Sequence, residues 1–441
     1  MKIGRAAVLT ALATVAGQAA GEPSGKQAVS GPVAVYWMSA ATSSGIGAGA
    51  SQGGPGGQEG QQEQRRRPGF GDIMAMEMHP HETSERIQNM GASSLSHTLI
   101  LQLGSARRPQ SGDPTAEHDP PAALGAGPAL PLVTPVQQPA HEEAEPGPPA
   151  QYHPQGRMLI FWGCGEHAGP GQPLVIDFAD MTKGGGQFAE LARGLAISPM
   201  QPPSPARNAT YGEWPNAEGR TTVGPDASLQ GAHTIKGNYS PQIDFSLAAD
   251  QDFLPPFKLT TNAKNPSGSA TLAWRPVDGG QGYLATMYGA KGPGETVMWT
   301  SSQVQASAFA LPDYLSDGEI ARLVARQVLM APSQTSCVVP QEAVQAAGMG
   351  SFRLVAYGGE YNISYPPRPP APQPWNIAWQ VKIRYRSSTG GVLGMDMSQM
   401  MGGGASQDPR AQEMERRQQQ QQQEQDKRRR NPFNPFGGLI P

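Results

Sequence analysis

Apolar side chains alternate with polar ones along much of this chain, and helical spacing is rare. In "WQVKIRYRS", Trp379, Val381, Ile383 and Tyr385 fall on one side of a strand, and Gln380, Lys382 and Arg384 on the other. Period-two alternation of this kind marks a half-buried antiparallel strand. "GPVAVYWMSA", with Val33, Val35 and Trp37 alternating, reads as a strand, as do "DIMAMEMH", "SHTLILQLGS", "PQIDFSLAA" and "SFRLVAYGG". A further strand-like patch covers 130–136, and "ATLAWRPVDGGQGYLATMYGAKGPGETVMWTSS" predicts three strands separated by Gly-rich turns. Helical patterns occupy 187–197 and 316–330. In the second, Ser316 and Glu319 have the spacing of a capping box, and Ile320, Leu323, Val324 and Val328 form an apolar stripe.

The alternation stops in three places. Residues 42–69 are Gly/Gln-rich, 105–152 are Pro-rich, and 394–441 are polar with a Gln run and a basic cluster at 427–430. Such stretches bury too little apolar surface to offset chain entropy, and they predict disordered insertions and a disordered tail. The closing "NPFNPFGGLIP" makes 427–441 a possible docking segment. The expected fold is mainly β: two tandem antiparallel β-sandwich-like modules with one or two short helices. The first module covers 28–199 and the second 253–393, joined by a loop-rich connector over 200–252. An internal repeat points the same way. "GRMLIFWGCGEHAGPGQPLVID" (156–177) and "GYLATMYGAKGPGETVMWT" (282–300) both run from Gly through an apolar strand to an aromatic residue and Gly. Both then carry Gly-Pro-Gly before a second strand. The first copy has the longer loop, and Cys164, Glu166 and His167 sit in it.

Around the second copy, "SATLAWRPVDGGQGYLATMYG" places Trp274, Pro276, a Gly-rich turn over 279–282 and Tyr283 in the order found in the middle strands of a sandwich module. This resembles fibronectin type III and related immunoglobulin-like domains over about 253–389. The resemblance implies a binding or spacer module, and the helix at 316–330 departs from it.

Composition narrows the setting. Gly 55 and Pro 44 among 441 residues favour turns and strands over long helices. A net charge of -3 supplies no field for nucleic acid. The start "MKIGRAAVLTALATVAGQAAGEP" has two basic residues, a short apolar stretch and small residues before position 20, the pattern of a secretory signal peptide over 1–19. No later apolar run is long enough for a transmembrane segment. The expected location is therefore the periplasm or cell envelope of a bacterium, where the even cysteine pair, Cys164 and Cys337, could form a disulfide.

Candidate chemistry is sparse. No G-x-S-x-G elbow, H-E-x-x-H or P-loop occurs. Cys164, Glu166 and His167 offer a disulfide, a metal ligand set or a thiol nucleophile, with the structural role favoured. Met74, Met76 and Met78 share one face of a strand and are followed by His79 and His81, a thioether and imidazole set suited to copper; the same methionines also read as core filler. Trp214, in the loop "YGEWPN" with Tyr211, reads as exposed, either stacking on a sugar or, the favoured role, pinning the loop to the module. The expectation is an exported, non-enzymatic envelope protein that binds a protein or polysaccharide partner. Copper handling in the periplasm is the first alternative, and a hydrolase acting on envelope polymers the weaker one.

Overall fold

Alternation carries through to burial. Along residues 34–40, Ala34, Tyr36, Met38 and Ala40 are buried in one core while Val35 and Trp37 turn to the opposite face. The computed structural model describes residues 27–45, 95–135, 156–177, 195–216, 223–292, 294–304 and 311–395. The signal peptide expected over 1–19, the strand expected at 72–79, most of the insertion expected at 42–69, most of the helix expected at 187–197 and nearly all of the tail expected from 394 lie outside those residues.

The described chain is mainly β. In order, its strands are β1 (Val29–Ser30), β2 (Ala34–Gly45), β3 (Ser96–Ser105), β4 (Ala116–Asp119), β5 (Leu130–Pro131), β6 (Arg157–Trp162), β7 (Leu174–Asp177), β8 (Thr210–Trp214) and β9 (Gly231–Gly237). There follow β10 (Ile243–Leu247), β11 (Leu259–Lys264), β12 (Ala270–Trp274), β13 (Gly282–Gly292), β14 (Glu295–Thr300), helix α1 (Asp317–Ala325), β15 (Ser336–Val339), helix α2 (Gln341–Ala347), β16 (Ser351–Tyr365), β17 (Trp375–Asn376) and β18 (Trp379–Val392).

Nine strands make one sheet in the order β7-β6-β14-β13-β16-β18-β2-β3-β8. The segments expected as two modules thus contribute to a single sheet. β18 runs antiparallel to β16 and parallel to β2, and β14 runs parallel to β6, so the sheet is mixed. The two repeat copies are the hairpins β6–β7 and β13–β14, which lie side by side through that parallel β6–β14 pair. Residues 105–135, expected within a long insertion, supply β4 and β5. Residues 200–252, expected as connector, supply β8, β9 and β10.

Two smaller sheets, β10-β9-β4-β5 and β11-β12-β15, cover one face of the large sheet. Tyr36, Met38, Leu101, Leu103, Ile383 and Trp299 of the large sheet share a continuous core with Ile235, Ile243, Leu272 and Val339. Trp274 on β12 meets Tyr283 on β13 edge-on at 5.5 Å, so the aromatic pair of the sandwich-like motif bridges two sheets. On the opposite face, α1 buries Ile320 and Leu323 against Leu284 and Val355. Ser316 caps α1 by accepting from the Glu319 N–H at 3.3 Å. Glu319 does not return the bond: its carboxylate takes Arg322 instead, so only half of the expected capping box is made. The helix also ends earlier than its pattern predicts, because Gln327 adopts φ 56° and sends Val328 and Leu329 back into the core.

The seam between the large sheet and the four-stranded one holds a buried polar chain. Tyr36 Oη lies 2.9 Å from His118 Nδ1, His118 Nε2 lies 2.9 Å from His233 Nδ1, and His233 Nε2 lies 2.7 Å from the Leu229 carbonyl. The carbonyl can only accept, so His233 Nε2 carries a proton and its Nδ1 must accept. His118 then donates through Nε2 and accepts from the Tyr36 hydroxyl. The polarity of the chain is fixed, and both rings are neutral. Phe245 stacks on His233 at 4.8 Å with an interplanar angle of 1°. Burial pushes the His118 pKa down to about 3, with His233 adding to the shift, and lowers that of His233.

This chain sets an acid limit. The unfolded imidazole binds its proton near pH 6.5, whereas folded His118 refuses one until about pH 3. Its stabilising contribution is therefore complete above 6.5 and is lost as pH falls toward 3. Denaturant unfolding at pH 7, 5.5 and 4 should give falling stability. A His118→Leu variant should be weaker at pH 7 but lose less over the same interval; equal losses in both proteins would refute the assignment.

Candidate functional site

The second face of the large sheet carries the polar chemistry. β2, β18 and β16 are neighbours at its centre, and the residues that point away from the core there are Val35, Trp37 and Ser39 from β2 and Gln380, Lys382, Arg384 and Arg386 from β18. In register with them, β16 places Ser364 opposite Gln380, Asn362 opposite Lys382, Glu360 opposite Arg384 and Tyr357 opposite Arg386. One extra β16 residue between Tyr357 and Glu360 forms a bulge, in which Gly359 takes φ 72° and Asp317 accepts from the Glu360 N–H at 3.0 Å. The bulge lets both halves of β16 turn polar or aromatic side chains to this face.

A groove of about 440 Å³ crosses this face. Val35, Trp37, Gln380, Lys382, Asn362 and Ser364 contribute to its lining, and Gln201, Pro202, Arg207 and Asn208 complete it from a crossing segment. That segment is braced internally: Arg207 donates to the Gln201 side chain at 2.7 Å and to the Pro202 carbonyl. Asn208 lies so close over β3 that a Cβ on Gly104 would stand 2.5 Å from its side chain, so only glycine fits beneath it. The lining thus combines amides and a hydroxyl, which both donate and accept, with an indole, two cations and the apolar side chains of Val35, Pro202, Pro203, Ile363 and Val381.

Beyond Trp37 and Lys382 the face becomes strongly cationic. Lys382 pairs with Glu360 and lies 5.4 Å from the Trp37 ring centre. Arg384, next in the row, lies 5.2 Å from the Trp37 ring and 4.5 Å from the Tyr314 ring. Its Nε donates to Ser39 Oγ at 2.7 Å. Arg386 lies 5.2 Å from Tyr314 and pairs with Asp313, which also receives Arg353 at 3.5 Å. Burial pushes the Asp313 carboxyl up, but the Arg386 and Arg353 guanidinium groups outweigh it and hold the pKa below the usual range. Burial lowers the Arg384 pKa. Alternation alone marks this row as a solvated strand face. The structure differs because residues 313–314 fold over it and leave Arg384 only 7% exposed.

The residues singled out from sequence fall elsewhere. Cys164 and Cys337 are joined by a disulfide, with Cα atoms 5.1 Å apart across a separation of 173 positions. The rest of the "WGCGEH" loop clamps the β6–β7 hairpin to β15 and α2. Gly165 donates its N–H to the Val338 carbonyl at 2.8 Å, and the Glu166 carbonyl accepts from Gln341 at 3.0 Å. The Glu166 carboxylate accepts from Ser269 at 3.1 Å and also from Ser267. His167 Nδ1 lies 3.1 Å from Glu342, whose other oxygen accepts from the Ala168 N–H at 2.8 Å. Burial raises the Glu342 pKa, but hydrogen bonds from the Ala168 and Glu342 N–H groups, His167 and Gln341 outweigh it and bring it down to about 2. Each of the three side chains is engaged in docking one layer on another.

Tyr211 and Trp214 lie on β8 and not in an exposed loop. They are 3% and 2% exposed, because β8 is an outer strand of the large sheet and its aromatic side chains are covered. Met74, Met76, Met78, His79 and His81 lie outside the described residues. Among the described residues no group of three or more His, Cys, Asp or Glu is placed to hold a metal, and no helix is long and apolar enough to cross a membrane. Comparison with protein families, curated proteins and solved structures gives no match.

Two outcomes follow for the scaffold. Replacing Cys164 and Cys337 with Ala should cost about 5 kcal/mol, the loop-closure scale for a crosslink of this span, with folding midpoints in urea as the readout. Gly104→Ala should push Asn208 off the sheet and cost about 1–3 kcal/mol as overpacking, whereas Gly224→Ala, where nothing stands within 4 Å of the added carbon, carries no such clash.

Proposed function

We propose that the chain is an exported, non-enzymatic binding protein of the cell envelope, and that the groove across β2, β18 and β16 holds an extended, hydroxyl-rich ligand such as a polysaccharide. The carrying observation is the groove lining. Asn362, Gln380, Gln201, Asn208 and Ser364 line it with groups that donate and accept hydrogen bonds together, beside the Trp37 ring. Side-chain amides suit hydroxyl-rich chains because each can satisfy a donor and an acceptor of the same ligand group. Trp37 and Gln380 are set on strands whose backbone is paired on both sides, and Asn362 and Ser364 on the part of β16 paired with β18, which favours a preorganised site.

Export rests on two supports. The disulfide between Cys164 and Cys337 belongs to an oxidising compartment. The basic, apolar and small-residue pattern of the first residues suits a cleaved leader.

The test has two parts. Expressed with its own leader in a Gram-negative host, the protein should be recovered from the periplasm with residues 1–19 removed and no free thiol. Cytoplasmic protein with an intact leader and two reactive thiols would rule out export. In a binding screen against soluble envelope polysaccharides, Asn362→Ala and Gln380→Ala together should weaken binding about tenfold or more, the loss expected for two directed hydrogen bonds. Unchanged binding in that variant would move the site away from the groove.

A further inference from the structure

The row Lys382, Arg384, Arg386 contains one guanidinium with no ion pair of its own among the described residues, although Asp313 and Glu360 lie near enough to act on it. Glu360, directly across from Arg384 in register, is taken by Lys382, and Asp313 is taken by Arg386 and Arg353. Arg384 is left with Ser39 Oγ as the one hydrogen-bond acceptor offered to it among the described residues. Yet it is 7% exposed and lies against two aromatic rings. Buried charges in proteins are normally paired, because desolvation is costly unless an opposite charge and hydrogen bonds return it. Among the described residues, Arg353, Lys382, Arg384 and Arg386 form ion pairs with only Asp313 and Glu360, so this row has more cations than paired anions although the chain as a whole carries a net charge of -3.

The geometry of the site suits a ligand oxyanion. Nε of Arg384 is spent on Ser39, which fixes the fork and leaves the two terminal nitrogens free to donate in parallel to two oxygens of one group. Trp37 and Tyr314 hold the guanidinium through ring contacts. Trp37 and Lys382 also line the groove, so the cationic patch continues directly from it.

We propose that Arg384 anchors an oxyanion subsite at the end of the groove, and that the ligand is an acidic glycan whose carboxylate, sulfate or phosphate substituent pairs with it. The proposal rests on the reading of the groove as a glycan site. A neutral chain could satisfy the amides of the groove but would leave Arg384 unpaired.

Calorimetric titration of the full chain tests it with three probes: a tetramer of a uronic acid, the neutral hexose tetramer of the same linkage, and inorganic sulfate and phosphate. The acidic tetramer should bind at least tenfold more tightly than the neutral one. Arg384→Gln should erase that preference while keeping the neutral affinity, and Arg384→Lys, which retains charge but not the fork, should fall between. Without ligand, Arg384→Gln should melt no lower than the native protein, because the buried guanidinium has no ion pair of its own to offset its desolvation. A lower midpoint with an unchanged preference would make Arg384 a structural residue and overturn the subsite. Equal binding of both tetramers would also overturn it and leave the groove reading standing. Binding of inorganic phosphate or sulfate alone, lost in Arg384→Gln, would keep the subsite and overturn the acidic glycan as its source. Binding of none of the probes would overturn both readings.

Discussion

The parallel pairing of β2 with β18 is the contact on which the rest of the molecule depends. It joins the first long strand of the described chain to the last, from Ala34 beside Trp379 to Gly45 beside Gly390. Parallel neighbours require a crossover, and here the crossover contains nearly every other element. Ser39 and Arg384, bonded across this seam, are 345 positions apart. The entropy of closing so long a loop grows only slowly with its length. Once closed, the pair provides both faces of the centre of the sheet. Tyr36, Met38, Val381 and Ile383 lie toward the core, while Trp37, Lys382 and Arg384 lie toward the groove.

The inner face explains why two smaller sheets are needed. A nine-stranded sheet is too wide to be covered by one short sheet, and the core is shared between β10-β9-β4-β5 under β2 and β3 and β11-β12-β15 under β13 and β14. Each attachment has its own specific link. The four-stranded sheet is held by Tyr36, His118 and His233, a fully satisfied chain with only one arrangement of protons. The three-stranded sheet is held by the Cys164–Cys337 bond and by Glu166 of the same loop, which accepts from Ser267 and Ser269, while Glu342 on α2 accepts from the loop's Ala168 N–H. Polar groups at such seams specify which surfaces meet, whereas apolar area alone is indifferent to register.

Much of this was legible in sequence wherever one face of a strand is apolar. β3, β10, β16 and β18 lie where alternation placed them, and Ser316 begins α1. The strands that alternation missed put polar residues in the core. β4 is "AEHD" and β9 is "GAHTIKG"; the buried residue of the first is His118 and those of the second are His233 and Ile235, and period analysis counts a histidine as polar until its partner is known. Trp214 shows the reverse case. Its Gly- and Pro-bearing neighbourhood reads as a loop, but pairing with β3 makes it a covered strand. The candidate site was half visible: the row Lys382, Arg384, Arg386 follows from period two, while its burial depends on Asp313 and Tyr314, which no local pattern ties to β18. The disulfide was legible as an even pair of cysteines, and its geometry became visible only once β6 and β15 were folded together.

One consequence of the β2–β18 seam concerns the outer ends of those strands. β2 leaves the sheet at Gly45, β3 re-enters beside it with Ser96 opposite Ser43, and β18 leaves at the same pole, with Gly390 opposite Gly45 and Leu393 and Met395 just beyond. The described chain therefore gives way to segments 46–94 and 396–441 at one pole of the sheet. Both carry a Gln-rich stretch ending in an arginine triplet, Arg65 to Arg67 in one and Arg428 to Arg430 in the other. Parting β2 from β18 would therefore also part the two points at which the described fold gives way to those segments.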